Sequence, residues 1–325
     1  MKIFCVICES EIVNSKEMPH VILGLCSLNV CEDCGHSSFV PKLKKVEDNE
    51  FSSEYVKIQQ HNESLLKHFF SRKYFIDNSR LLLLNHFIFI DDGMNVLELG
   101  PGFPGLFHTL KLTGKQLNLY SVEPNPETNR LFEDYGVKSI GLSFPLRKTF
   151  DGVGSSNSNS DNINSRQTND YSQYFDILIC CNILYYFENP INSLKHMLSI
   201  LSEHGLILID IINNNILPKD YYKESNTMRE IFTKKSLEIA IKMAGGDLLF
   251  INTNCVKDPA SQFHNMIKTV ESNIVSKFFR KITNKLGVSL VPQMDVMKYF
   301  SQASEFKYGH PERHYIRAVV TKSHQ

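Results

Sequence analysis

The 325-residue sequence contains no tryptophan and carries no formal net charge, because 35 lysines and arginines balance 35 aspartates and glutamates. The balance excludes a strong overall attraction to nucleic acid or to anionic membranes. The sequence also lacks a long apolar run. Its longest, residues 81–90, contains Asn85 and His86 and is shorter than the stretch of about 20 residues that crosses a bilayer.

The amino terminus lacks the features of a secretory signal. The opening residues, MKIFCVIC, contain only a brief apolar stretch, and Glu9 ends it. We therefore expect a cytoplasmic protein with no membrane-spanning segment. Thiols stay reduced in the cytoplasm, so the eight cysteines of the chain need a role other than disulfide formation.

Four of the cysteines form two CxxC pairs separated by residues 9–30. Two such pairs can place four thiolates around one ion, as tetrahedral zinc requires. A segment of this size is too small to fold by apolar burial alone, so a bound metal would supply its folding free energy. We expect a structural zinc site, with an iron centre, a redox pair or chance spacing as alternatives. The expected ligands are Cys5, Cys8, Cys31 and Cys34.

Three nearby residues are weaker candidates for metal binding. Cys26 lies between the two pairs, and we interpret it as a core residue rather than a ligand. His20 and His36 are weak substitutes for a missing thiolate.

A glycine-rich stretch at residues 94–107, MNVLELGPGFPGLF, predicts a strand, a tight loop and a helix in immediate succession. A loop of this kind lets a ligand approach the backbone beside a helix amino terminus. Glu98 lies two residues before Gly100, where a nicotinamide-binding strand would usually have an apolar residue. A second strand ends in Glu123, at the spacing of about 20 residues typical of an acid that binds a ribose hydroxyl pair.

Strand and helix patterns continue to alternate along the rest of the chain. This alternation predicts an α/β doubly wound sheet with right-handed crossovers. We interpret Gly205 as the end of a helix. The predicted strands are 116–123, 137–143, 174–181, 206–211, 247–253 and 314–321, and the predicted helices are 126–136, 189–205 and 233–245.

Composition divides the chain into three parts. We assign residues 1–40 to a zinc-ribbon-like module, residues 41–90 to a helical connector and residues 91–325 to the large α/β domain. Two insertions interrupt the large domain. Residues 151–172 are too polar to pack and predict disorder, whereas residues 257–312 carry a helical pattern.

The acid-apolar-Gly-x-Gly pattern that begins at Glu98 resembles the first motif of class I S-adenosylmethionine-dependent methyltransferases. Glu123 is similar to the second-strand acid of that family, and residues 175–190 resemble its fourth strand and the segment that follows. The resemblance implies a Rossmann-like sheet of seven strands and S-adenosylmethionine as the methyl donor. The CxxCGH knuckle resembles that of zinc-binding sugar C-methyltransferases, although this chain is too short for their large carboxyl-terminal domain.

The resemblance also implies which residues bind the donor. The glycine loop would hold it, Glu123 would bind its ribose hydroxyls, residues 181–182 would lie near it, and residues 143–144 would flank its adenine. The implied donor-binding residues are Glu98, Gly100, Gly102, Gly105, Glu123, Ser143, Phe144, Cys181 and Asn182.

Tyr186 is the candidate catalytic residue. Related enzymes often have Glu-His where this chain has Tyr185 and Tyr186, and a histidine is a natural proton acceptor near neutral pH. A tyrosine side chain has an ordinary pKa of about 10 and is therefore a poorer base near neutral pH. Orientation of the acceptor, or packing alone, is the alternative role for Tyr186.

We expect methyl transfer to a small-molecule acceptor, such as a saccharide or a secondary metabolite, and no nucleic-acid partner. Methylation of an RNA base is an alternative that the neutral net charge disfavours. A donor-binding scaffold without turnover is the second alternative.

Overall fold

The structure is a computed structural model of the chain. It describes residues 2–42, 50, 53–54, 77, 80–102, 106–111, 113–133, 136–144, 171–213, 227–254 and 315–323. Most of the predicted connector 41–90, nearly all of the predicted insertion 151–172 and the whole of the predicted insertion 257–312 lie outside these residues. The proposed domain boundaries stay predictions.

A seven-stranded sheet forms the large domain. Its strands are β4 (Asn95–Leu99), β5 (Asn118–Val122), β6 (Val137–Gly141), β7 (Phe175–Cys181), β8 (Leu201–Ile212), β10 (Gly246–Asn254) and β11 (Tyr315–Lys322). They lie in the order β6-β5-β4-β7-β8-β11-β10. All neighbours are parallel except β11, which is antiparallel to β8 and to β10. This arrangement confirms the prediction of a doubly wound, Rossmann-like sheet.

Helices connect the strands. They are α1 (Phe107–Lys111), α2 (Pro126–Glu133), α3 (Pro190–Ile200) and α4 (Lys234–Met243), and residues 80–87 are also helical. The Asn189 side chain caps α3, and Thr233 caps α4 through a capping box with Ser236. In the part of the chain that the structure describes, no helix is long and apolar enough to cross a membrane.

The helix that was predicted to end at Gly205 ends earlier, at Ile200, and the strand predicted to begin at Leu206 begins at Leu201. Gly205 therefore lies inside β8. A Cβ at this position would lie 2.8 Å from the carbonyl oxygen of Phe175 in the neighbouring strand. Glycine permits this close approach of two backbones and does not stop a helix here.

Both faces of the large sheet are buried. Leu178 and Ile207 belong to the apolar cluster on one face, and Ile177 and Leu208 belong to the cluster on the other. Successive residues of a strand point to opposite faces, so each strand contributes to two cores. This burial explains why the central strands are nearly continuous apolar runs.

A second, four-stranded sheet contains the amino-terminal module. Strands β1 (Asn14–His20), β2 (Gly24–Val30) and β3 (Ser37–Pro41) form an antiparallel meander. The fourth strand, β9 (Glu230–Ile231), comes from the large domain and pairs with β3. The sequence did not indicate this strand. Its pairing with β3 joins the module to the large domain.

His20 is buried where the module meets the large domain. Its Nδ1 accepts hydrogen bonds from the N–H groups of Ile22 and Leu23 at 3.1 and 3.0 Å, and its Nε2 donates to the carbonyl oxygen of Met228 at 3.0 Å. Both ring nitrogens are therefore engaged in protein contacts rather than available to a metal. Burial lowers the pKa of His20 to about 4, although the Met228 carbonyl opposes this shift.

Acid should destabilise the protein partly through His20. The folded histidine stays neutral, whereas the unfolded chain takes up a proton below pH of about 6.5. His20 therefore makes its full contribution to the free energy of unfolding above that pH. This contribution is lost as the pH falls to about 4, a change of about 3 kcal/mol in order of magnitude.

Urea unfolding between these two pH values measures the effect. The free energy of unfolding of the His20→Gln variant should fall less steeply with acid than that of the wild type, and the exposed His204→Gln control should follow the wild type. Equal slopes for the wild type and His20→Gln would contradict the assignment.

Candidate functional site

The glycine loop follows β4 at the carboxyl edge of the large sheet. Gly100 and Gly102 have positive φ angles of 51° and 55°, which glycine adopts without steric cost. A Cβ at Gly100 would lie 2.2 Å from Cδ1 of Ile183, whereas a Cβ at Gly102 would meet no atom of the described residues within 4 Å. Among these residues, the chain is thus tightly packed at Gly100 and not at Gly102. Gly105 lies outside the described residues.

Glu98 is buried in β4, with 3% of its surface exposed. Its Oε2 accepts a hydrogen bond from the N–H group of Leu106 at 2.8 Å. A buried carboxylate is costly unless it is hydrogen-bonded, and this bond satisfies part of that need. The carboxylate therefore joins β4 to Leu106, the residue just before α1.

Glu123 comes directly after β5 and faces the same loop. Its Oε2 accepts a hydrogen bond from the N–H group of Gly102 at 3.2 Å, and its Oε1 accepts one from Asn125 at 2.9 Å. Its own N–H group donates to the carbonyl oxygen of Gly141 at 3.1 Å. Glu123 therefore joins the carboxyl ends of β4, β5 and β6.

The turn after β7 lies beside the glycine loop. Cys181, the last residue of β7, is buried, and burial raises the pKa of its thiol well above the usual value although Arg80 opposes the shift. Asn182 has a φ of 59° and donates its N–H to the carbonyl oxygen of Asp210 at 2.7 Å. Within the described residues, the buried Oδ1 of Asn182 has no hydrogen-bond partner. An acceptor atom is therefore left for a ligand at this edge.

Ser143 and Phe144 follow β6. Phe144 is 6% exposed, and its ring centroid lies 5.7 Å from that of Phe187 and 5.0 Å from that of His196. Phe144 therefore packs between the end of β6 and α3, which leaves little of its ring for a ligand. Ser143 is partly exposed beside it.

Tyr186 belongs to a 3₁₀ turn, Leu184–Tyr186, that follows β7. Its hydroxyl oxygen lies 3.4 Å from Oγ1 of Thr227, and its ring meets that of Tyr185 edge to face with centroids 4.6 Å apart. It also packs against the apolar cluster of the module. That cluster contains Leu23, Cys26, Phe39 and Ile231.

Four thiols of the module converge on one point. The Sγ atoms of Cys5, Cys8, Cys31 and Cys34 all lie within 4.8 Å of one another. The Cys5–Cys34 and Cys8–Cys31 sulfur distances are 3.6 and 3.4 Å. Zinc bound tetrahedrally, with Zn–S bonds of about 2.3 Å, needs sulfurs about 3.8 Å apart. The arrangement therefore fits such an ion.

The thiols differ in acidity. Burial raises the pKa of Cys5 to about 11 and raises that of Cys34 further. Burial acts on Cys8 in the same direction, but hydrogen bonds with Ser10, Cys31 and Cys34 together outweigh it and lower the pKa to about 7. Cys8 therefore supplies a thiolate more readily than Cys5 or Cys34 does.

Cys26 and His36 lie outside the group of four thiols. Cys26 belongs to the apolar cluster of the module, in agreement with its interpretation as a core residue. The Nε2 of His36 lies 2.7 Å from Oε2 of Glu230, so His36 makes a buried pair with the large domain.

A match to a known family accompanies this geometry. Residues 68–249, more than half of the chain, match the family described as "Methyltransferase domain". The chain belongs to this family. It is an S-adenosylmethionine-dependent methyltransferase, as the resemblance of its motifs implied. No curated protein matches the sequence of the chain.

Solved structures similar to this methyltransferase include the [4+2]-cyclase SpnF, with 13% identity, a TM-score of 0.42 and coverage of 75% of this chain and 81% of that one. Coclaurine N-methyltransferase bound to N-methylheliamine and SAH has 13% identity, a TM-score of 0.45 and coverage of 75% and 70%. The Burkholderia thailandensis 1,6-didemethyltoxoflavin-N1-methyltransferase has 10% identity, a TM-score of 0.46 and coverage of 92% and 96%. Similarity at this level does not indicate the acceptor.

A buried charge cluster beside the methyltransferase site was not predicted. Oδ2 of Asp210 accepts hydrogen bonds from Nε of Arg80 at 2.8 Å and from Nε of Arg317 at 3.0 Å, and Arg80 also donates to Asp77 at 2.8 Å. The sequence contains part of the information needed to find this cluster, because Asp210 and Arg317 are charged residues within apolar strands. Their pairing across β8 and β11 is a tertiary feature that the sequence does not reveal.

Replacement of Asn182 should test the backbone strain at the turn after β7. Asn182→Ala should destabilise the methyltransferase by about 1 kcal/mol, because the left-handed conformation costs residues other than glycine and asparagine about 1–2 kcal/mol. Asn182→Gly should be close to neutral. Urea unfolding measures both, and Gln173, an exposed residue with a φ of 54°, provides a matched Ala and Gly pair outside the site. Equal stability of the two Asn182 variants would count against the strain.

Proposed function

We propose that this methyltransferase transfers a methyl group from S-adenosylmethionine to a small-molecule acceptor, with the donor along the carboxyl edge of β4, β5 and β7. The proposal rests on the two carboxylates of Glu98 and Glu123, which accept hydrogen bonds from Leu106 and Gly102 at the two ends of the glycine loop. Ligands of doubly wound sheets bind at this edge. When bound, the donor supplies an electrophilic methyl group attached to a positively charged sulfur.

On the donor side, the residues of the chain bind the methyl donor and orient it. Glu123 presents a carboxylate to the ribose hydroxyl pair, and the glycine loop, from Gly100 to Gly105, admits the ligand to the backbone. The Oδ1 of Asn182 accepts a hydrogen bond from a donor group of the ligand. Cys181 keeps its proton because burial raises its pKa, so it contributes a neutral contact. Ser143, which is partly exposed beside the buried Phe144, is assigned to the adenine end.

On the acceptor side, alignment is the main task, because a sulfonium methyl group needs a nucleophile held in line with it. We assign this role to the turn that carries Tyr186. Its hydroxyl group lies near Thr227 and is suited to hydrogen-bond an acceptor. This arrangement favours an orienting role for Tyr186 over that of a general base.

A small molecule fits the charge of the chain better than RNA does, since the 35 basic residues are balanced by 35 acidic ones. The four cysteines are assigned to a structural Zn²⁺, because four thiolates leave no open coordination position for catalysis. Thiolate ligands require reduced cysteines, which supports a cytoplasmic location.

Donor binding tests the proposed function. Calorimetry with S-adenosylhomocysteine should show binding to the wild type, and Glu123→Gln should weaken it by about tenfold to a hundredfold, since a charge-assisted hydrogen bond contributes about 1.5–3 kcal/mol. Glu133→Gln, in which an exposed glutamate at the end of α2 loses the same charge, should bind like the wild type. Absence of binding to the wild type, or equal loss in both variants, would refute the donor site.

Metal content tests the proposed zinc site. The purified wild type should contain about one zinc ion per chain, as a four-thiolate site binds. Cys31→Ser should lose the metal and unfold more easily, whereas Cys26→Ser, which changes a buried thiol outside the group, should retain it. Mass spectrometry of metals measures the content. A wild type without zinc, or Cys31→Ser with full zinc, would remove the site.

A further inference from the structure

The short strand β9 pairs with a strand of the amino-terminal module. It belongs to the four-stranded sheet, where its two residues pair with Ser37 and Ser38 of β3. The N–H group of Phe39 also donates to the carbonyl oxygen of Arg229, just before β9, at 2.9 Å. The position of this segment of the large domain therefore depends on β3.

Contacts of the second cysteine pair hold the same segment. Oγ1 of Thr233 donates to the carbonyl oxygen of Cys34 at 2.6 Å, and Nε2 of His36 lies 2.7 Å from Oε2 of Glu230. Gly35 approaches so closely that a Cβ there would lie 2.7 Å from Cγ2 of Thr233. Since Cys34 is one of the proposed metal ligands, the metal site and β9 are joined directly.

The same segment supports the turn that carries Tyr186. The N–H group of Arg229 donates to the carbonyl oxygen of Tyr185 at 2.9 Å, and Thr227 lies beside the Tyr186 hydroxyl group. The Tyr186 ring also packs on the apolar cluster of the module. Main-chain bonds and packing therefore link the proposed acceptor side to the module.

The contacts described for the donor side are of a different kind. Glu98 binds Leu106, Glu123 binds Gly102, and Gly100 donates its N–H to the carbonyl oxygen of Val122 at 2.7 Å. All of these residues belong to the large sheet and its loops. These particular contacts do not involve the module, although Gly100 packs against Ile183 at the start of the turn that carries Tyr186.

We infer that the cysteine module is a positioning element for the acceptor side of the site. Metal bound by its four cysteines fixes β9 and, through it, the turn that carries Tyr186, whereas the donor side is held without the module. Thr233 and Glu230 act as positioning residues in this link. The inference rests on the proposed function for the meaning of the two sides, but the structural link stands on its own contacts.

The absence of tryptophan from the chain permits a direct test. Tyr186→Trp places a single fluorescent reporter on the acceptor side, and Tyr174→Trp places one at the opposite end of β7, at a residue that is 37% exposed. Removal of the metal from the full-length protein with EDTA should red-shift the emission of the first reporter and raise its acrylamide quenching about twofold, as local opening does. The second reporter should not change.

A glycine pair tests the link without removal of a metal ligand. Gly35→Ala introduces a methyl group against Thr233, whereas Gly24→Ala introduces one at a similar φ, 77° against 73°, where no atom of the described residues lies within 4 Å. With metal content measured in each variant, Gly35→Ala should shift the Tyr186→Trp emission and Gly24→Ala should not. The affinity for S-adenosylhomocysteine should stay within about twofold in both variants, as for independent sites.

Three results would overturn the inference. One is a Tyr186→Trp signal that responds neither to EDTA nor to Gly35→Ala. Another is a parallel change at both reporters, because the metal would then support the whole fold. The third is a loss of S-adenosylhomocysteine affinity in Gly35→Ala alone, because the donor side would then depend on the module. If the wild type itself fails to bind S-adenosylhomocysteine, the proposed function fails while the reporter comparison remains decisive for the link.

Discussion

The buried carboxylate of Asp210 is the interaction on which the arrangement of the methyltransferase site depends. It receives hydrogen bonds from Arg80, ahead of the sheet, and from Arg317, in the last strand, while its main-chain carbonyl receives the N–H group of Asn182. Buried charges are stable only when they are paired, and removal of one partner from such a group destabilises a protein by about 3–5 kcal/mol. One residue therefore links the helical residues 80–87, strand β11 and the turn after β7.

The site combines two ways of fixing a loop. Beside the glycine loop, carboxylates within and directly after the strands accept hydrogen bonds from the N–H groups of Leu106 and Gly102, so the parallel sheet itself holds the two ends of the loop. Around the turn that carries Tyr186, strand pairing and side-chain contacts come from a separate sheet that carries four converging thiols. The first arrangement is common to many doubly wound sheets, whereas the second depends on the cysteine module.

The fold and the turn geometry around the glycine loop were predictable because their signals are local in the sequence. The glycine loop, Glu98 and Glu123 are set by spacing, and the strands by continuous apolar runs. Strand β9 was not predictable, since two residues have no periodicity, and the bonds of Asp210 join residues 130 and 107 positions apart. Gly205 was misinterpreted because glycine marks both helix ends and close backbone approaches, and the nearby carbonyl oxygen of Phe175 decides between them.

The origin of β9 also sets the order in which the chain can fold during synthesis. All four converging cysteines precede β3, so a metal can assemble them early, but the fourth strand of their sheet emerges much later. His36 and its partner Glu230 are 194 positions apart, and at about 5–20 residues per second this separation is a delay of roughly 10–40 s. The three-stranded meander β1–β3 therefore keeps an open strand edge until most of the large sheet has been made.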